Sequence, residues 1–394
     1  MNKQPQLSRH DLLIIFTYGG AILATIVLFY LIGILRNGIS LPAIDAHHIE
    51  IAILIPQTGA QAALGKNIEQ VAKKSLDFYR KNNPNKNWDI TLTTYDAGNN
   101  AHSAALAAQL AAQNMATVAI VGPINARQVI AAAVITQDKQ IAIISPASTA
   151  SVLDLTKFRN VYRIPAPDQY QGDAIVEYLS AQRKKNVFLI GEPGKYSDLI
   201  LDRFKQAAKD RIKISGTAAL NTGVPPDLAQ NLSSSKTDVI VFIGSSKYFS
   251  EIMNIAKTAS ASTPIIGVDA INEDKIARKL TGTEQVFFTS SILNKGDGTR
   301  QLPEDYKKTL GNLAGQPYTY ETSQAIWAIL ASLDQAGQNS SARIEIQQTL
   351  NSILLPGESG GRITFNRKQM QPAYVYVYSL RSSPGSPVYR FSIP

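Results

Sequence analysis

Thr117-Val118-Ala119-Ile120-Val121-Gly122-Pro123-Ile124-Asn125 opens the passage that decides the fold. Thr117 to Val121 are apolar or β-branched with no polar face, and the run is too short for a helix. It predicts a strand buried on both sides. A Gly-Pro turn follows, then helical periodicity over 126–137, then a second strand over 141–144 that ends in Ser145-Pro146. Residues 238–269 repeat the layout: strand 239–243, turn Gly244-Ser245-Ser246, helix 249–257, strand 265–268, and Asp269 at the close. Strand, helix and strand with continuously apolar strands is the pattern of a parallel sheet covered on both faces. Its two occurrences predict two similarly built α/β lobes.

The same alternation extends outward. Strand 51–55, helix 67–81, strand 90–95 and helix 101–113 precede the first passage. After Pro165 and Pro167 it restarts with helix 169–182, strand 187–190, helix 199–209 and strand 212–218, and strand 286–289 follows the second passage. Helices over 319–336 and 343–350 lead to β-like segments at 362–365 and 374–380. A chain of 394 residues fits two core units better than one. The expected organisation is a cytoplasmic tail over 1–11, an anchor over 12–35, a linker over 36–47, lobe 1 over 48–165 and lobe 2 over 166–291. A return to lobe 1 spans 292–360, and a return to lobe 2 with the C-terminal tail spans 361–394. Hinges are expected where the chain changes lobe, near 164–167, 290–293 and 357–361.

The anchor rests on 24 uncharged residues from Leu12 to Leu35. As a helix they would reach about 36 Å, enough for a hydrocarbon core of roughly 30 Å. The run is longer than a secretory signal's apolar region, and the nearest small-residue cleavage pattern, ending at Ala46, lies well beyond it. Lys3 and Arg9 precede the run and only Arg36 closely follows it, which orients the following chain outward. The expected location is the plasma (inner) membrane, single-pass, with the main domain on the periplasmic or extracellular side.

Composition removes several classes of function. The formal charge of +9 comes from singly scattered Lys and Arg with no basic stripe, which argues against nucleic acid as a partner. The chain has no cysteine, so thiol catalysis, thiolate metal sites and a lipidated cysteine are excluded. His10, His47 and His48 precede the core and His102 opens a helix, so neither a histidine triad nor a histidine metal site is expected. No dinucleotide or P-loop glycine motif is present. The expectation is a non-enzyme without cofactor or metal.

Open α/β sheets bind ligands at the carboxyl ends of their strands. Here those loops are Pro56-Gln57-Thr58-Gly59, Gly122-Pro123-Ile124-Asn125 and Ser145-Pro146-Ala147-Ser148-Thr149 in the first lobe. In the second they are residues 191–196, Gly244-Ser245-Ser246 and Val268-Asp269-Ala270. Hydroxyls, helix N-termini and one carboxylate suit a small polar or zwitterionic ligand whose cationic group Asp269 could pair. Each residue also has a plain reading. Ser148, Thr149 and Asp269 could cap the segments they precede, and Tyr196 could be a rim aromatic.

The stretch Pro56-Gln57-Thr58-Gly59 with Gly65, then Tyr95-Asp96-Ala97, Val121-Gly122-Pro123, Ile144-Ser145-Pro146-Ala147-Ser148-Thr149 and Tyr162-Arg163, resembles the branched-chain amino acid (Leu/Ile/Val) binding proteins of ABC transporters. The resemblance runs from Ile49 to about Leu380, including Gly360-Gly361-Arg362-Ile363-Thr364-Phe365-Asn366. It implies the type I periplasmic binding fold: two Rossmann-like lobes with parallel sheets, here preceded by one N-terminal transmembrane helix. It also implies that Ala147, Ser148 and Thr149 meet the ligand's carboxylate and ammonium groups, that Tyr196 covers the ligand, that Asp269 pairs with the ammonium, and that Tyr318 or Tyr320 supplies a further aromatic. Two positions depart from the family. Ala126 stands where the family has a serine, flanked by Asn125 and Arg127, which shifts carboxylate recognition toward Arg127. Leu64 stands where the family carries an aromatic.

The resulting expectation is a membrane-anchored solute-binding protein that closes two lobes around an amino acid or similar solute for ABC permease subunits. A sensory receptor ectodomain and a cell-envelope interaction module that has lost ligand binding are the alternatives on the same fold.

Overall fold

The computed structural model describes residues 48–84, 88–259, 262–280, 285–293, 302–336, 342–356, 362–382 and 386–394. The anchor, the linker and the crossover expected at 357–361 lie outside the described residues. Among the described residues no helix is long and apolar enough to cross a membrane.

The first half of the chain runs β1 (His48–Ile55), α1 (Ala62–Asn82), β2 (Asp89–Asp96), α2 (Ala101–Gln113), β3 (Thr117–Val121), α3 (Ala126–Thr136), β4 (Ala142–Ser145) and β5 (Val161–Arg163). Next come α4 (Tyr170–Ala181), β6 (Asn186–Gly191), α5 (Lys195–Ala208), β7 (Lys213–Ala219), α6 (Leu228–Ser234), β8 (Val239–Ile243), α7 (Ser246–Ala259), β9 (Ile265–Gly267), α8 (Asp274–Ala277) and β10 (Val286–Ser290). The chain closes with α9 (Glu304–Leu310), α10 (Thr319–Ala336), α11 (Ala342–Leu350), β11 (Leu355–Pro356), β12 (Arg362–Asn366), β13 (Gln369–Gln371), β14 (Tyr374–Ser379) and β15 (Tyr389–Ser392).

Two sheets organise these elements, one per lobe. The first has the order β11-β12-β13-β5-β4-β3-β1-β2 and the second β15-β14-β10-β9-β8-β6-β7. The consecutive βαβ pairs β1 with β2 and β6 with β7 are parallel, and β3 and β8 then pair parallel to the other edges of β1 and β6. The late strands are mostly antiparallel additions at the edges, as in β14 against β10. Ile51 through Ile55 are fully inaccessible, as the continuous apolar run requires of a strand covered on both faces. His48, read by sequence as preceding the core, opens β1, and its Nδ1 lies 2.8 Å from Asp89 on β2.

Two glycines let the first strand ends close up. Gly122 has φ +100°, and a Cβ there would stand 2.1 Å from the Leu54 carbonyl oxygen. At Gly65 a Cβ would stand 1.9 Å from the Pro56 carbonyl oxygen, so α1 sits against the β1 loop only because the side chain is absent.

The chain changes sheet at three places. Ile164 to Pro167 joins β5 to α4, and Ser291 to Leu293 leaves β10 toward α9 and α10, which pack on α1 through hydrogen bonds such as Tyr306 to Ser75. The third crossover lies at Pro372-Ala373, between β13 and β14, which corrects the return to lobe 2 expected from residue 361. Residues 362–371 stay with the first sheet because β13 pairs with β5 through Gln369 and Arg163. The Gln369 amide reinforces that pairing, accepting from Arg163 Nε at 2.8 Å and donating to the Pro165 carbonyl at 3.0 Å. A long-range pairing of this kind outweighs the local pattern of the tail.

Candidate functional site

The loop after β4 is pinned before it reaches the inter-lobe region. Ser145 Oγ donates to the Pro123 carbonyl at 2.8 Å and accepts from the Ser148 N–H at 3.2 Å, so the Ser145–Thr149 turn is tied to the Gly-Pro turn beside it. Ala147 and Ser148 are buried, and Ser148 Oγ has no partner. Thr149 is half-buried, and its carbonyl accepts from the Asp168 N–H at 2.8 Å.

Asp168 was not foreseen as a site residue. It follows Pro165-Ala166-Pro167 at the first crossover and is 7% exposed. Its carboxyl is pushed up to about 7, first by burial and then by the neighbouring charge of Asp269, against hydrogen bonds from Thr149 and Gln171 and the pull of Arg163. Gln171, fully buried in the first turn of α4, was also missed. Its Oε1 accepts from Thr289 Oγ1 at 2.7 Å and from the Asp269 N–H at 3.2 Å, while its Nε2 reaches the Tyr196 hydroxyl at 3.3 Å.

Tyr196 lies in the first turn of α5, since that helix begins four residues before the apolar periodicity suggests. A helical backbone holds its ring more firmly than a loop would. Its hydroxyl donates to Asp269, which opens a short 3₁₀ turn with Val268 at the cap position. Burial raises the Asp269 carboxyl, opposed by the Tyr196 and Gln171 hydrogen bonds and by the Ala270 N–H. Thr149, Asp168, Gln171, Tyr196 and Asp269 therefore form one hydrogen-bonded and electrostatic chain from the first lobe's β4 loop to the second lobe's β9 loop.

Of the two late tyrosines, the structure brings Tyr318 to this chain. Burial pushes its hydroxyl up to about 12, with further contributions from the charges of Glu321, Asp269 and Asp168. Tyr320, two residues on, lines a small cavity at the hinge with Ile164, Met370 and Tyr374. Glu321 is a further buried carboxylate that sequence reading did not single out. Its Oε1 accepts from the Leu293 N–H at 3.3 Å, its Oε2 is unpartnered, and burial pushes it up to about 7.

The remaining candidates sit apart from the chain of contacts. Asn125 caps α3, its Oδ1 accepting from the Gln128 N–H at 3.1 Å, and Ala126 is buried behind it. Arg127 is exposed on the first turn of α3, at the carboxyl end of β3. Leu64, in the first turn of α1, packs against the apolar core. Chemically, the network presents two carboxylates, two phenols and an amide between the lobes, an arrangement suited to a hydrated or cationic polar group rather than to bond-making.

Comparison with known proteins places this geometry in context. Residues 48–382 match the family model described as periplasmic binding protein. The Leu/Ile/Val-binding protein BraC3 of Rhizobium johnstonii is 22% identical over 307 residues, covering 75% of this chain and 81% of the relative. The ABC transporter substrate-binding protein from Desulfitobacterium hafniense in complex with Leu superposes with a TM-score of 0.67 at 18% identity, covering 84% of this chain and 98% of that one. A solute binding protein of an ABC transporter from Rhodopseudomonas palustris, in complex with 3,4-dihydroxy benzoic acid, does so with a TM-score of 0.60 at 13% identity, covering 84% and 93%. At these identities the solved structures show the fold alone.

Proposed function

We propose that this chain, which belongs to the periplasmic binding protein family, captures an amino acid or a similar small amine-bearing solute between its lobes. The observation that carries the reading is the Asp168–Asp269 pair. Two interacting carboxylates stand at the junction of the lobes, one of them holding its proton near neutral pH, and a ligand ammonium is the group that would relieve their repulsion. The relatives named for Leu/Ile/Val binding and the leucine-bound neighbour agree with such a ligand.

In this reading Thr149 and Asp168 receive the ammonium from the first lobe and crossover, and Asp269 receives it from the second. Binding and closure about the three crossovers are then one event. Tyr196 and Tyr318 cover the ligand's body. The unpartnered Ser148 hydroxyl and Arg127, at the carboxyl end of β3, serve its anionic end.

The uncharged run 12–35 supports a membrane tether with the lobes outside, and the family supports delivery to the permease of an ABC importer. Recovery of the full chain in the membrane fraction is expected. A secreted product beginning near His47 would contradict the tether.

The test of ligand class is a thermal-shift panel of amino acids, their decarboxylated amines and their deaminated acids. A ligand at a hundred times its dissociation constant stabilises by about 2.7 kcal/mol. Amino acids and amines should raise the melting temperature. Stabilisation by the acids but by no amine would reject the reading.

A further inference from the structure

A groove of about 740 Å³ runs beside the first crossover, and none of Thr149, Asp168, Gln171, Tyr196 and Asp269 lines it. Its walls come from both lobes: Ser151 and Arg163 from the first, Tyr170 of α4 from the second.

Two buried polar groups on these walls lack partners. Arg163 is 6% exposed, and its Nε donates to Gln369 Oε1 at 2.8 Å while Nη1 has no acceptor. The Gln369 amide nitrogen, itself a donor to the Ile164 carbonyl at 3.3 Å and the Pro165 carbonyl at 3.0 Å, is no acceptor for Nη1. Ser151 Oγ is likewise buried and unpartnered. A buried guanidinium with Nη1 unsatisfied gains from a group that accepts there, beyond the pull of the nearby Asp168 charge. Burial lowers Arg163 only to about 10, so the group is charged at neutral pH.

From these two groups on one groove we propose a second ligand site that binds a small organic monocarboxylate through the terminal nitrogens of Arg163 and the hydroxyl of Ser151. The two oxygens of a carboxylate match the guanidinium edge in a bidentate pair. A phosphate dianion fits less well, since Arg367 and Asp154 on the same walls offset one another and leave about one net positive charge, which suits a monoanion. Leu153, Pro167 and Ile393 offer apolar surface for a short hydrocarbon body.

The test titrates the full chain with sodium butyrate and separately with inorganic phosphate, and Ser151→Ala, outside the inter-lobe site, assigns the binding to this groove. Saturable butyrate binding is expected, with phosphate at least tenfold weaker. Ser151→Ala should weaken butyrate roughly 3- to 10-fold and Arg163→Gln by more than that. The site is refuted by the absence of saturable butyrate binding, by a preference for phosphate, or by unchanged affinity in the substituted chains. If circular dichroism shows that Arg163→Gln does not fold, Ser151→Ala decides alone, and unchanged affinity there refutes the site.

Discussion

Binding of an amine at the inter-lobe site should expel a proton, and the size of that coupling follows from the geometry. Burial and the charge of Asp269 push Asp168 up to about 7, so at pH 7 the pair carries a proton in about half of the molecules. An ammonium pairs well only when both carboxylates are ionised. Affinity should therefore fall about fivefold from pH 7 to 6 and about ninefold from pH 6 to 5, roughly 50-fold in all, or about 2.3 kcal/mol. It should level off above pH 8. Calorimetric titration with the amino acid that raises the melting temperature most, in two buffers of different ionisation enthalpy, measures both affinity and protons released. About half a proton should leave at pH 7 and about one at pH 5. Asp168→Asn should flatten the profile. Constant affinity from pH 5 to 8 with buffer-independent heat would refute the account of the carboxylate pair.

Glu321 gives a stability prediction of defined sign. Burial raises it from 4.5 to about 7, so the folded state binds its proton more tightly than the unfolded chain does. Its stabilising effect is complete below about 4.5 and is lost as pH rises to 7, up to about 3 kcal/mol. Glu321→Gln should flatten the fall in stability between pH 5 and 8 in urea melts, and an unchanged slope would show that the carboxyl is already ionised at pH 5. Gly65→Ala should cost about 3 kcal/mol or prevent folding, because its Cβ would overlap the Pro56 carbonyl oxygen, and a melting temperature within a degree or two of the parent would contradict that packing. Asn125→Ala should cost about 1 kcal/mol through the lost cap with amino acid affinity kept within twofold, and a large loss of affinity would return Asn125 to the ligand site.

Much of the fold was legible because its strands are apolar on both faces and short. Residues 117–121 and 239–243 are bounded in the structure as the apolar runs bound them, and the helices at 101–113 and 319–336 likewise. The elements that escaped are those without such a signature. The helices Leu228–Ser234 and Glu304–Leu310 are each a turn or two of mainly polar sequence, and β13 meets β5 through a single paired residue. The helix carrying Tyr196 starts at Lys195, before its apolar stripe begins, so the residue read as part of a loop stands on a rigid element.

For the site, loop position pointed to Thr149, Tyr196 and Asp269, and resemblance added the pair Tyr318 and Tyr320. Asp168 and Gln171 were hidden for a physical reason: Pro165-Ala166-Pro167-Asp168 reads as a crossover, and only the approach of the second lobe turns its carboxylate into a buried charge. Glu321 sits in a helix that is buried nearly all around at its start, where periodicity cannot mark a single position as special.

Asp269→Asn tests the central claim most directly, measured as amino acid affinity by calorimetry beside the melting curve of the same preparation. A charge-assisted hydrogen bond contributes about 1.5–3 kcal/mol, so affinity should fall roughly 10- to 150-fold while the melting temperature stays near that of the parent. Parent-like affinity in a chain that melts earlier would show that Asp269 only braces Tyr196 and the 3₁₀ turn, and would remove the cationic half of the proposed site.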